Sequence, residues 1–259
     1  LVKAGVDGLV PSGTFGEGAS LSLSEKVRLT EEILKVSGTA KVVPSLICNS
    51  FGEIADYLDF ANSTKVDGVM VMPPGYFRPS DDSALRRFFE KVLSLSKKPI
   101  IAYNFPGMSL TINPDVIAGV GVWGVKDSSG SIDSAKNYLN SNIKLLIGSD
   151  VLLSEAISLG ASGGICGIAN FFPRRMKRIN DLAKAGKLDE AKRELAPVAE
   201  FSSGIVQEGF TPGLAISAFK SAAPKFIPTS LGDMRTPAPR IETDFARWSK
   251  SLEYSEMNI

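Results

Sequence analysis

The chain has 259 residues, 44% of them hydrophobic and 22% charged, enough apolar surface for a large core without disulfides or metals to support it. Its 29 lysines and arginines nearly balance 28 aspartates and glutamates, and the net charge of +1 supplies no overall field for nucleic acid or an anionic membrane. Histidine is absent, which excludes Ser-His-Asp and Cys-His catalysis and removes the usual ligand of zinc and non-haem iron.

Cys48 and Cys166 stand far apart within apolar runs, the pattern of buried thiols in a reducing compartment. No apolar stretch reaches the roughly 18 residues of a membrane span, and the N-terminus lacks a signal-peptide profile. A cytoplasmic protein with no metal site and no membrane partner is expected.

Short apolar runs recur along the chain at residues 8–10, 41–48, 67–73, 99–103, 122–126, 144–148 and 163–167. Each is rich in Val, Ile and Leu, as parallel strands buried on both faces are. Helical segments alternate with them. Ser22 with Glu25 and Ser50 with Glu53 fit capping boxes, and Asn113 followed by Pro114 marks a further helix start. Apolar stripes follow at Val27, Ile33 and Leu34, at Ile54, Leu58 and Ala61, and at Leu85, Phe88, Phe89 and Val92.

This alternation predicts a parallel α/β sheet, and the number of runs favours a (β/α)8 barrel. Leu1-Val2-Lys3-Ala4-Gly5 reads as a helix tail, so the first barrel strand is expected ahead of this numbering. Beyond Gly167 the pattern turns helical, at 174–185, 188–201, 212–222 and 244–252, with Pro224, Pro228, Pro237 and Pro239 marking a connector. The expectation is one domain. Residues 1–170 supply strands two to eight with their helices, and 171–259 supply the closing helix and a C-terminal helical extension.

Reactive groups of such barrels project from the C-terminal ends of strands. Alternation along Val122-Trp123-Gly124-Val125-Lys126-Asp127 puts Trp123 and Val125 towards the helices and Lys126 into the barrel mouth. A lysine withdrawn from water there becomes a nucleophilic amine for Schiff-base chemistry; the alternative is a strand-end lysine reaching out to solvent. The run ending at Tyr103-Asn104-Phe105-Pro106 brings a phenol to the same rim. It is a proton shuttle in a chain without histidine, or a core residue with its hydroxyl at the edge. The glycine-rich turn Pro11-Ser12-Gly13-Thr14-Phe15-Gly16-Glu17-Gly18 and the loop Gly163-Gly164-Ile165-Cys166-Gly167 can each present backbone N–H groups to an anion, or simply reverse the chain.

Taken in order, Gly13-Thr14-x-Gly16-Glu17, Tyr103-Asn104-x-Pro106, Gly124-x-Lys126-Asp127 and Gly163-Gly164 resemble the dihydrodipicolinate synthase and N-acetylneuraminate lyase family across nearly the whole chain. The resemblance implies an eight-stranded barrel and class I aldolase chemistry without a cofactor. Lys126 then forms the imine with pyruvate, Tyr103 shuttles the proton, Thr14 relays it, and Tyr76 completes the relay of a neighbouring subunit. It also implies substrate contacts at Gly13, Phe15, Gly164 and Ile165, and a homo-oligomer, a dimer or dimer of dimers.

Two departures bear on the substrate. Dihydrodipicolinate synthases typically carry an arginine after the Tyr-Asn-x-Pro element, where this chain reads Gly107-Met108-Ser109-Leu110, and Phe15 stands where a second threonine or serine is usual. The pattern is closest to the 2-keto-3-deoxygluconate aldolases, which implies a 2-keto-3-deoxy sugar acid cleaved to pyruvate and an aldehyde. Dihydrodipicolinate synthase, N-acetylneuraminate lyase, a phosphate-binding barrel and a non-catalytic ligand-binding barrel are the alternatives.

Overall fold

The computed structural model describes residues 1–205, 211–225 and 231–235. Its strands are β1 (Gly8–Leu9), β2 (Lys41–Val42), β3 (Ser45–Leu46), β4 (Val69–Val71), β5 (Ile100–Asn104), β6 (Gly124–Asp127), β7 (Leu145–Ile147) and β8 (Gly163–Gly164). All neighbouring pairs are parallel and follow chain order. The run at 41–48 gives two of these strands because Pro44 has no N–H to donate to the ladder. The chain nevertheless passes through as one strand position: Val43 N donates to Leu9 O (3.0 Å), Ser45 N to Pro11 O (2.9 Å) and Met70 N to Pro44 O (2.8 Å). Every predicted run thus occupies one place in the sheet.

Period-two alternation separates two cores. Ile47, Met70, Met72, Ile101 and Tyr103, with Val10, Val43, Leu146 and Ile165 against them, fill the interior of the curved sheet. The intervening residues face outwards: Val42, Leu46, Val69, Val71 and Ile100 in one cluster, Ala102, Val125, Leu145 and Ile147 in another. They meet the helices α1 (Leu23–Val36), α2 (Phe51–Asn62), α3 (Asp82–Leu95), α4 (Pro114–Ala118), α5 (Ile132–Asn140) and α6 (Leu153–Ser158). The stripes at Ile54, Leu58 and Ala61 and at Leu85, Phe89 and Val92 are buried there.

Two local expectations are corrected. Ser50 does cap α2 by accepting from Glu53 N, but the Glu53 carboxylate turns to Lys26 Nζ at 2.5 Å instead of closing a capping box. A buried ammonium is a stronger partner than a backbone N–H. Trp123 precedes β6 and does not enter the helix layer; it is 40% exposed, with Lys144 Nζ 4.9 Å from its ring centre. The alternation that holds inside the strand does not extend to the residue before it.

The helices α7 (Pro173–Lys184), α8 (Leu188–Ile205) and α9 (Pro212–Ala222) form the C-terminal portion, joined to the barrel core through Phe171, Phe172, Phe201 and Phe219. Pro224 lies in a 3-10 turn, Ala223–Lys225. The expected helix at 244–252 and the prolines at 228, 237 and 239 lie outside the described residues. No described helix is long and apolar enough to cross a membrane.

Candidate active site

An open cavity of about 1580 Å³ runs from the inner face of the sheet to the C-terminal helices, and Thr14, Tyr103, Lys126, Ser128 and Asp150 line it at the C-terminal strand ends. Strand register creates the pairing at its centre. Tyr103 on β5 is the Cα partner of Lys126 on β6, so two inward side chains lie side by side, and Lys126 Nζ is 4.2 Å from the centre of the Tyr103 ring. The next pair in the same register faces outwards and is bonded: Asn104 Nδ2 donates to Asp127 Oδ1 at 2.7 Å, with both residues fully buried. Asn104 Oδ1 accepts from Ile112 N, and the Asp127 carboxylate accepts from Ser129 N and Oγ. This network fixes the register that sets Tyr103 against Lys126.

Glycine is required beside the lysine. A Cβ at Gly148 on the neighbouring strand end falls 2.2 Å from Ser128 Oγ, 3.0 Å from Asp127 O and 3.1 Å from Lys126 Cε, so the lysine stem runs over bare backbone.

Thr14 reaches the pair from the glycine-rich turn, its Oγ1 2.9 Å from the Tyr103 hydroxyl. The turn is tightly closed: the Gly13 carbonyl accepts from Gly16 N and Gly18 N, and a Cβ at Gly18 would lie 1.8 Å from Ser12 O. Gly13 is therefore part of the turn's own closure, and Thr14 and Phe15 head a 3-10 turn, Thr14–Gly16. The Phe15 ring turns towards the C-terminal helices, edge-on to Phe219 at 4.8 Å and against Gly167, where a Cβ would meet it at 2.6 Å.

Burial of Tyr103 works to raise its pKa. The Lys126 charge and hydrogen bonds with Thr14, Lys126 and Ser128 outweigh that, and the phenol ionises below its usual range. Asp150 behaves oppositely. Burial lifts its carboxyl above the usual range, against the lowering effect of hydrogen bonds from Ser202, Ile168 N and Cys166 and of the Lys126 charge. Burial likewise pushes the Cys166 thiol up, and the half-buried Cys48 thiol up to about 12.

Of the residues expected at the site, the structure brings together Thr14, Tyr103 and Lys126, with Gly13, Phe15, Gly164 and Ile165 also lining the cavity. Tyr76 stands outside the cavity of its own chain, 78% exposed beside Phe77, with its backbone N–H donating to Asn49 Oδ1. Sequence reasoning missed Asp150, although Gly148-Ser149-Asp150 directly follows a strand run, where barrel site residues collect. It missed Ser202 as well, whose Oγ donates to Asp150 Oδ2 at 3.1 Å from α8, a helix no strand-end rule points to. Among the described residues no cluster of metal ligands occurs.

A model of the dihydrodipicolinate synthetase family matches residues 1–218. The 4-hydroxy-tetrahydrodipicolinate synthase of Methanococcus maripaludis is 32% identical over 200 residues, covering 74% of this chain and 69% of that protein. The chain belongs to the dihydrodipicolinate synthetase family. Membership makes it an enzyme of the pyruvate-dependent class I aldolase and lyase group. Its fold matches a variant of the Sulfolobus solfataricus 2-keto-3-deoxygluconate aldolase with a TM-score of 0.85 at 23% identity, covering 97% of this chain and 85% of the other. The Ruminococcus gnavus sialic acid aldolase matches with a TM-score of 0.86 at 20% identity, over 99% and 87%. These family folds are TIM barrels, and the parallel strand order here is theirs.

Proposed function

We propose that the chain is a Schiff-base aldolase that reversibly cleaves a 2-keto-3-deoxy sugar acid to pyruvate and an aldehyde. The observation that carries the substrate class is the absence, among the described residues, of a free cation near the lysine. No arginine follows the Tyr-Asn-x-Pro element, where Gly107 lines the cavity and Met108 comes next. Lys41, Lys177 and Lys220 on the wall are paired with Asp67, Asp181 and Glu17, Lys184 ends α7, and the Asp150 carboxyl stands at the Lys126 end. A second substrate carboxylate left unpaired in such a pocket costs several kcal/mol, and a nearby carboxyl adds repulsion. Hydroxyl groups find an acceptor in the same carboxyl.

In this reading the Lys126 amine adds to the C2 carbonyl and water leaves, giving the imine. Tyr103 takes the proton of the C4 hydroxyl and Thr14 relays it. As the C3–C4 bond breaks, its electron pair forms the enamine and the aldehyde departs. Protonation at C3 and hydrolysis then release pyruvate and free the lysine. Backbone groups of Gly13, Phe15, Gly164 and Ile165 hold the keto acid, and Tyr76 serves the site of a neighbouring subunit.

A synthase reading has its own support, since the 32%-identical relative is a 4-hydroxy-tetrahydrodipicolinate synthase. One experiment weighs the two. With a panel of 2-keto-3-deoxy acids, we expect 2-keto-3-deoxygluconate or an epimer to be cleaved with kcat/KM at least about tenfold above the condensation of pyruvate with aspartate semialdehyde, roughly 1.4 kcal/mol. Equal or faster condensation gives the synthase reading precedence. Borohydride with pyruvate should add mass to the peptide containing Lys126, and labelling at another residue removes Lys126 from the mechanism.

A further inference from the structure

The glycine-rich turn that carries Thr14 does not hold its shape alone. Glu17 within it has a left-handed backbone, φ 53°, a conformation that L side chains avoid unless their surroundings enforce it. Its carboxylate is nearly enclosed, with a side-chain exposure of 12%, and forms an ion pair with Lys220 of α9, itself 16% exposed. The other carboxylate oxygen accepts from Arg235 N at 3.2 Å, and Lys220 Nζ also donates to Asp233 O at 3.0 Å. One residue earlier on α9, Phe219 packs edge-on against Phe15. Two adjacent residues of one helix therefore grip the residues on either side of Gly16, and Thr14 opens the same turn, with Glu17 N donating to Thr14 O at 3.0 Å.

We propose that Lys220 is a positioning residue that acts through Glu17 to hold the Thr14 hydroxyl against Tyr103. Lys220 touches neither Thr14 nor the keto acid in this scheme. Its ammonium neutralises an enclosed carboxylate that would otherwise pull the turn towards water, and a turn that opens carries Thr14 Oγ1 away from its 2.9 Å contact. The inference rests on the aldolase reading above.

The test separates imine formation from proton transfer in the full chain, in Lys220→Met with and without Glu17→Gln, and in Lys220→Arg. Pyruvate trapped on Lys126 by borohydride reports the imine. Exchange of the pyruvate methyl protons for deuterium reports the shuttle: the C3–H bond breaks, its electron pair forms the enamine, the proton passes to Tyr103 and Thr14, and a deuteron returns. We expect K220M to trap pyruvate to within about twofold of the unaltered chain while exchanging at least about tenfold more slowly, and K220R to recover most of the exchange rate. Because E17Q removes the enclosed charge that Lys220 neutralises, adding it to K220M should restore most of the exchange, and a double variant as slow as K220M counts against this role; Lys220→Gln replaces K220M if that variant does not fold. Unchanged exchange, or trapping and exchange lost in equal measure, overturns the role of Lys220 alone. An unaltered chain that traps no pyruvate overturns the aldolase reading, and the role of Lys220 with it.

Discussion

Lys126 lies directly opposite Tyr103 in the parallel register of β5 and β6, its ammonium 4.2 Å from the ring centre. That positive charge favours phenolate over phenol at Tyr103. Thr14 is bonded to the hydroxyl of the same Tyr103, 2.9 Å away, and either oxygen can donate, so a proton can pass between them.

In the proposed mechanism Tyr103 is dispensable for the imine and necessary for turnover. Tyr103→Phe should lower kcat by about 10²-fold or more while borohydride still traps pyruvate. The electrostatics give a second readout. Tyr103 ionises below its usual range because the Lys126 charge and the hydrogen bonds with Thr14, Lys126 and Ser128 together outweigh burial, so in Lys126→Met the tyrosine should titrate higher. Ultraviolet titration, with Y103F variants subtracted, measures it; a tyrosine that titrates unchanged in K126M sinks the coupling.

The buried pair beneath them predicts a stability effect. Asn104→Ala leaves Ile112 N–H without its acceptor and removes a donor from the fully buried Asp127, which should cost about 2–3 kcal/mol in urea unfolding. A loss under about 0.5 kcal/mol would mean that water replaces the amide freely.

Much of this was legible in the sequence because strand ends and alternation are local properties. Val125 facing helices and Lys126 facing the cavity follow from period two within β6, and Tyr103 follows from the run that ends in Asn104. What was not legible depends on packing between distant elements. Ser202 reaches Asp150 from α8 and Lys220 reaches Glu17 from α9, and nothing near either residue in sequence indicates its partner. Glu53 shows the same limit: its spacing from Ser50 is that of a capping box, but Lys26 on α1 takes its carboxylate.

Tyr76 and Phe77 are 78% and 79% exposed and meet edge-on at 4.8 Å, two adjacent aromatic rings offered to solvent. A second copy of the chain is the proposed cover, in a dimer or dimer of dimers. Sedimentation should show an oligomer for the unaltered chain and a shift to smaller species in a Tyr76→Ser, Phe77→Ser double variant. An active monomer at all concentrations removes Tyr76 from the site.

Asp150 is proposed to join stability to substrate choice, and burial sets the sign of its effect on stability. Its carboxyl pKa is raised in the fold, so the folded state holds the proton to higher pH than the unfolded chain does. Below the ordinary aspartate value, about pH 4, both states are protonated and the group is neutral towards stability. As pH rises through the folded value, ionisation favours unfolding, and the penalty is fully present above it. Asp150→Asn cannot ionise, so it should melt higher than the unaltered chain at pH 8, by up to a few degrees, with the gain fading towards about pH 4. The same exchange replaces a hydroxyl acceptor at the Lys126 end of the cavity with an amide that keeps a single acceptor oxygen. Cleavage of the sugar acid should therefore lose about tenfold in kcat/KM while pyruvate trapping on Lys126 is retained. A variant that melts lower at pH 8 would show that the Ser202 and Ile168 bonds outweigh the desolvated charge, and unchanged cleavage would detach Asp150 from the substrate.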